Sequence, residues 1–178
     1  MEFLMKKVIF ALSALAVVST SAFAAVSCDG TVKFSVEIVD SPWVVSTDSQ
    51  NQEVVLGQVQ KSVFAAVGDK SPAKPFEIKL EDCDTTTMKK ANVSFTGVGD
   101  ADKSDLISVS TEAGAAKGVG IGIYDNSNTL VALNGGKASV DLKTGQTVLY
   151  FTANYVSTLA TVTTGYGNAQ VDFNLSYE

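Results

Sequence analysis

Residues 171–178 read Val171-Asp172-Phe173-Asn174-Leu175-Ser176-Tyr177-Glu178, an apolar and a polar residue in strict turn. Successive side chains on a strand point to opposite faces, so this period puts every apolar group on one face and describes a half-buried β-strand. The same period appears near the other end, where Gly30, Val32, Phe34, Val36 and Ile38 alternate with Thr31, Lys33, Ser35 and Glu37. Working inward, short runs rich in Val, Thr, Ile, Phe and Tyr predict strands over 31–39, 53–59, 76–80, 91–98, 106–111, 119–124, 138–142, 147–157 and 169–177. Turn chemistry separates them, including Ser71-Pro72, Gly99-Asp100, Asp125-Asn126, Asn134-Gly135-Gly136 and Gly165-Tyr166-Gly167. Residues 61–69 fit a short helical turn. Many short strands at this spacing, with almost no helical period, make an all-β sandwich.

The chain has 178 residues, of which 46% are hydrophobic and 18% charged, the balance of a folded single domain. Thirteen Lys and Arg against nineteen Asp and Glu give a net charge of −6, which supplies no field to gather a phosphate backbone, so nucleic acid is not expected as a partner. With no His, the Ser/His/Asp and Cys/His designs lack their base and His-ligated metals lack their ligand. Residues 1–24 read as a secretory signal peptide: Lys6 and Lys7 precede an apolar run from Val8 to Val18, and Ala22-Phe23-Ala24 offers small residues for cleavage. That run is shorter than the ~20 residues a membrane span needs.

Three stretches invite a chemical reading and fail its requirements. Asp100-Ala101-Asp102-Lys103-Ser104-Asp105 lacks the Gly and distal Glu of a calcium loop and reads as a solvated turn. Gly118-Val119-Gly120-Ile121-Gly122 runs on into Ile123-Tyr124 as a strand, without the helix N-terminus that a phosphate loop needs. Cys83 stands among Glu81, Asp82 and Asp84, whose charge disfavours a thiolate and so a nucleophile. Neither an enzyme nor a cofactor is expected.

Longer matches carry more. Gly30-Thr31-Val32-Lys33-Phe34, Ile38-Val39-Asp40-Ser41-Pro42, Leu56-Gly57-Gln58-Val59, the run from Pro75 to Cys83, and the end from Val171 to Glu178 resemble the major subunits of chaperone-usher pili, the type 1 fimbrial protein family, and among them those of long polar fimbriae. Tyr177 matches the family's penultimate aromatic residue and Gly165 its glycine fourteenth from the end.

The resemblance implies an incomplete immunoglobulin-like sandwich that lacks its last strand and is completed by a donor strand from the next subunit. It implies a pilin domain over 37–178 and a donor extension over 25–36, in which Val26, Cys28, Gly30, Val32, Phe34 and Val36 face the groove. It assigns Gly165, Val171, Phe173, Leu175 and Tyr177 to the edge first read by a chaperone and then by the incoming donor. The partners so implied are identical subunits in an adhesive filament, a periplasmic pilus chaperone, an outer-membrane usher and tip or minor subunits. Export would run through the periplasm to a cell-surface fimbrium. A minor or adaptor subunit of the same pilus is the alternative, and a secreted ligand-binding β-sandwich a more distant one. The family's disulfide joins the position of Cys83 to a cysteine where this chain has Trp43, so that pair cannot form; a Cys28–Cys83 bridge is left open. Val36 stands where the family commonly has glycine.

Overall fold

The computed structural model describes residues 44–178 except Asp84, all within a unit spanning Val39–Glu178. The predicted strand over 31–39, the extension over 25–36, the signal segment over 1–24, Cys28 and Trp43 lie outside the described residues.

Among the described residues eight strands follow in chain order: β1 (Val44–Val45), β2 (Lys74–Cys83), β3 (Lys90–Thr96), β4 (Ile107–Ser108), β5 (Val119–Tyr124), β6 (Ala138–Asp141), β7 (Gly145–Ser157) and β8 (Asp172–Tyr177). A four-residue helix α1 (Thr47–Gln50) follows β1, and a 3-10 turn occupies Lys61–Val63, inside the stretch expected to hold a helical turn. One sheet has the order β1-β2-β7-β5-β4 and the other β6-β3-β8, and every strand pair is antiparallel. This is the immunoglobulin-like sandwich, with a three-stranded second sheet among the described residues.

The inward faces of both sheets build one core. Ile78 and Leu80 of β2, Ala91, Val93 and Phe95 of β3, and Leu149 and Phe151 of β7 are all buried. Each large side chain among them contributes about 1.5–3 kcal/mol by leaving water. Phe151 anchors the aromatic centre, stacked on Phe76 at 5.4 Å between ring centroids and edge-on to Phe95 at the same distance. Strict alternation after Ile78 and Leu80 would turn Asp82 inward. Asp82 instead takes a positive φ of 55°, the register with β7 shifts between Leu80 and Cys83, and this bulge brings Cys83 into the core in its place. Cys83 is a buried free thiol whose Sγ lies 3.7 Å from the Leu80 carbonyl.

One expected strand does not form. Residues 53–59 join no ladder among the described residues, although their apolar period is real. The strand expected over 106–111 shrinks to Ile107–Ser108, since the Ser110 N–H turns away to the Asn168 carbonyl at 2.7 Å. Asp100 caps its own turn, its Oδ1 accepting the N–H groups of Asp102 at 3.0 Å and Lys103 at 3.1 Å. In β5, Gly120 lies against Leu106 and Gly122 lies under the Tyr124 ring, so both glycines serve packing.

Candidate functional site

β8 is the edge of its sheet. Along one side it pairs with β3 from Ala91↔Tyr177 to Thr96↔Asp172, and along the other no strand accompanies it among the described residues. Phe173, Leu175 and Tyr177 turn inward and are half-buried, while Asp172, Asn174 and Ser176 are exposed, as the alternation of the sequence requires. An edge of this length that no described strand pairs with, beside apolar side chains, is a template for another strand.

Next to that edge lies a groove of about 410 Å³ between the sheets. Residues 49–54 with Leu56 form one wall, and residues 169–173 form the other. The floor is core: Phe76 and Ile78 of β2, Phe95 of β3, and Ile121 and Ile123 of β5. A second chamber of about 420 Å³ continues along both walls, through residues 57–59 and Lys61 on one side and 162–168 on the other, above Phe64, Val119 and Tyr155. The wall bends between the two chambers at Gly57, whose φ of 77° a side chain would strain.

The structure divides the residues singled out at this edge. Val171 and Phe173 line the first chamber and Gly165 the second, whereas Leu175 and Tyr177 pack on the core cluster that contains Cys83. Gly165 is tight for steric reasons and not for its φ: a Cβ there would fall on the backbone of Ala115 and Ala116. The walls at Val54 and Leu56 and the floor under them were missed as site residues, although their apolar period was visible in the sequence. Ser46 and Ser49, which end β1, carried no signal that periodicity could detect.

Two phenols titrate above their ordinary value of 10.0. Burial raises Tyr155, whose hydroxyl donates to the Gly167 carbonyl at 2.9 Å across the second chamber. Burial also raises Tyr177, and the neighbouring Cys83 adds to it. A group whose pKa is higher in the folded than in the unfolded state stabilises fully below the unfolded value, and that contribution is lost as pH rises through the folded one. The unfolding midpoint in urea should therefore fall as pH is taken from about 8 to about 11, and it should fall less in a Tyr155→Phe, Tyr177→Phe chain. Equal loss in both chains would show that these phenols are not responsible.

The sequence profile of the family described as "Fimbrial protein" matches residues 32–178. The chain belongs to the fimbrial protein family. It is 90% identical over the full length of both chains to the probable major fimbrial subunit LpfA of Escherichia coli O157:H7. It is 75% identical, again over both full lengths, to the long polar fimbria protein A of Salmonella typhimurium strain LT2. Among solved structures it resembles the P pilus rod subunit PapA, with a TM-score of 0.67 and 28% identity over 78% of this chain and 100% of that one. It also resembles the subunit of a chaperone-usher pilus, with a TM-score of 0.69 and 29% identity over 85% of this chain and 97% of that one. As a fimbrial protein the chain is a structural subunit of a surface filament and not an enzyme.

Proposed function

We propose that the groove receives a β-strand from the next subunit and that residues 25–36 are the strand this chain gives in return. The observation that carries this reading is the edge of β8, accompanied on that side by no other described strand, lying along a groove floored by Phe76, Ile78, Phe95 and Ile121. An inserted strand would hydrogen-bond to that edge through its backbone and set alternate side chains on the floor. In residues 25–36 the alternate set is Val26, Cys28, Gly30, Val32, Phe34 and Val36, of which Val32 and Phe34 bury the most apolar surface. Because the groove and the donor are different parts of one chain, the contact is head-to-tail and does not close, so it propagates a filament.

An open β8 edge of this kind would require cover before assembly. In this reading a periplasmic chaperone occupies the groove after cleavage of residues 1–24, and an outer-membrane usher hands the subunit to the growing fimbria, where tip or minor subunits precede it. Val171, Phe173 and Gly165 are then the acceptor residues that meet the donor, and Leu175 and Tyr177 hold β8 on its own core. Deleting residues 25–36 tests the reading. The shortened chain should accumulate with the chaperone as a monomer and form no oligomers, while still accepting the extension of an intact subunit. Polymers of the shortened chain at the parent level would refute the proposal.

A further inference from the structure

We infer that Ser46 and Ser49 form a side-chain clasp that positions the groove wall for strand acceptance, an inference that rests on the proposed function and assigns positioning residues to it. The pairing of β1 with β2 covers Val44↔Glu81 and Val45↔Leu80 and then stops. The Ser46 N–H still donates to the Lys79 carbonyl at 3.0 Å. In a continuing antiparallel ladder the Lys79 N–H would return to the Ser46 carbonyl. That carbonyl instead accepts from Ser49 N at 2.9 Å and Gln50 N at 3.2 Å, which starts α1, and the Lys79 N–H donates to Ser49 Oγ at 3.0 Å. Ser46 Oγ donates to Ser49 Oγ at 3.0 Å and fixes its rotamer.

One hydroxyl thus stands in for a backbone acceptor, so β1 can leave the sheet without orphaning a donor on β2. Both serines are buried, at 7% and 4% exposure, where an unpaired N–H would be costly. The consequence falls on the groove. The chain leaving α1 becomes the wall over residues 51–56, and residues 51–59 make no backbone hydrogen bond to another described residue. At this end the wall is held by the clasp and by Gln50 Nε2, which donates to the Val45 carbonyl at 3.0 Å. A wall held, among the described residues, mainly at its ends must be placed in advance if strand insertion is not to spend its energy ordering it.

The test uses the full chain purified with its chaperone and a fluorescent synthetic peptide of residues 25–36 as the incoming strand. Ser49→Ala should lower the rate of peptide uptake about tenfold, and Ser49→Thr, which keeps the Oγ, should restore it. Amide hydrogen exchange should rise in residues 46–59 of Ser49→Ala and stay at the parent level in β3, β7 and β8. Ser46→Ala, which loses only the bond that sets the rotamer, should give a smaller change in the same direction and serves if Ser49→Ala fails to fold. Uptake by Ser49→Ala at the parent rate, or equal loss in Ser49→Thr, would overturn the clasp. Failure of the parent chain to take up the peptide at all would overturn the strand-acceptor reading itself, and the clasp with it.

Discussion

A chain carrying Gly30→Arg is expected to reach its chaperone-bound monomer at the parent level and to give no ladder of heat-sensitive oligomers on a gel run without boiling. A donor strand must match the β8 edge with its backbone while every second side chain faces the floor between the sheets. The register that puts Val32 and Phe34 inward also puts Gly30 inward, whereas a slip of one residue would present Thr31, Lys33 and Ser35 to Phe76, Ile78 and Ile121. In that register residue 30 would face the floor, where a guanidinium would be both bulky and unpaired among apolar side chains. Assembly should fall by orders of magnitude, because the misplaced group blocks the whole strand and not one contact. In the proposed reading residue 30 belongs to the extension over 25–36 and not to the domain over 37–178, which is why the monomer should survive. A parent-level ladder would show the register to be wrong, and loss of the monomer would place Gly30 in the domain's own core.

The strands were legible where the chain obeys a single period. Residues 119–124 match β5 at both ends, and the alternation over 171–178 survives in β8 as half-buried Phe173, Leu175 and Tyr177 beside exposed Asp172, Asn174 and Ser176. The groove was only half legible. Phe173 and Val171 could be found from β8, but the opposite wall was read as a strand over 53–59, because an alternating sequence does not say whether a partner is present to pair with it. Ile78 and Phe95 are buried core residues as well as groove floor, and Ile121 packs against the same core. Two local events could not be read at all. The bulge at Asp82 exchanges an acid for Cys83 in the core, and the Ser46–Ser49 clasp exchanges a carbonyl for a hydroxyl; both depend on which backbone group lies opposite. With Trp43 where the resemblance implies a cysteine, the chain would lack a cross-link whose loop of roughly 40 residues would contribute about 4 kcal/mol in the chain-entropy model.

Gly165→Val should cost about 3 kcal/mol or more of folding stability and close the second chamber, because the position is closed to any side chain. An added Cβ would overlap Ala115 C and Ala116 N and approach the Gly114 carbonyl to 2.5 Å, and all three neighbours are backbone that cannot rotate aside. The segment on either side is a short parallel bridge, Ala115↔Tyr166, held by Tyr166 N–H donating to Gly114 O at 3.0 Å and Ala116 N–H donating to Tyr166 O at 2.9 Å. Relieving the clash means parting these strands, which gives up both bonds and uncovers Val119 and Val162 beneath. A fold of this size has about 5–15 kcal/mol in all, so a loss on that scale should be visible as a lower urea midpoint and a smaller chaperone-bound fraction. Gly165→Ala already carries the offending atom and should show most of the effect. Gly135→Ala is the control, since a Cβ there meets nothing within 4 Å, and its midpoint should stay within about 0.5 kcal/mol of the parent. If Gly165→Ala unfolds at the parent midpoint, the packing of residues 165–167 on 114–116 does not hold this end of the groove, and the second chamber owes its shape to other contacts.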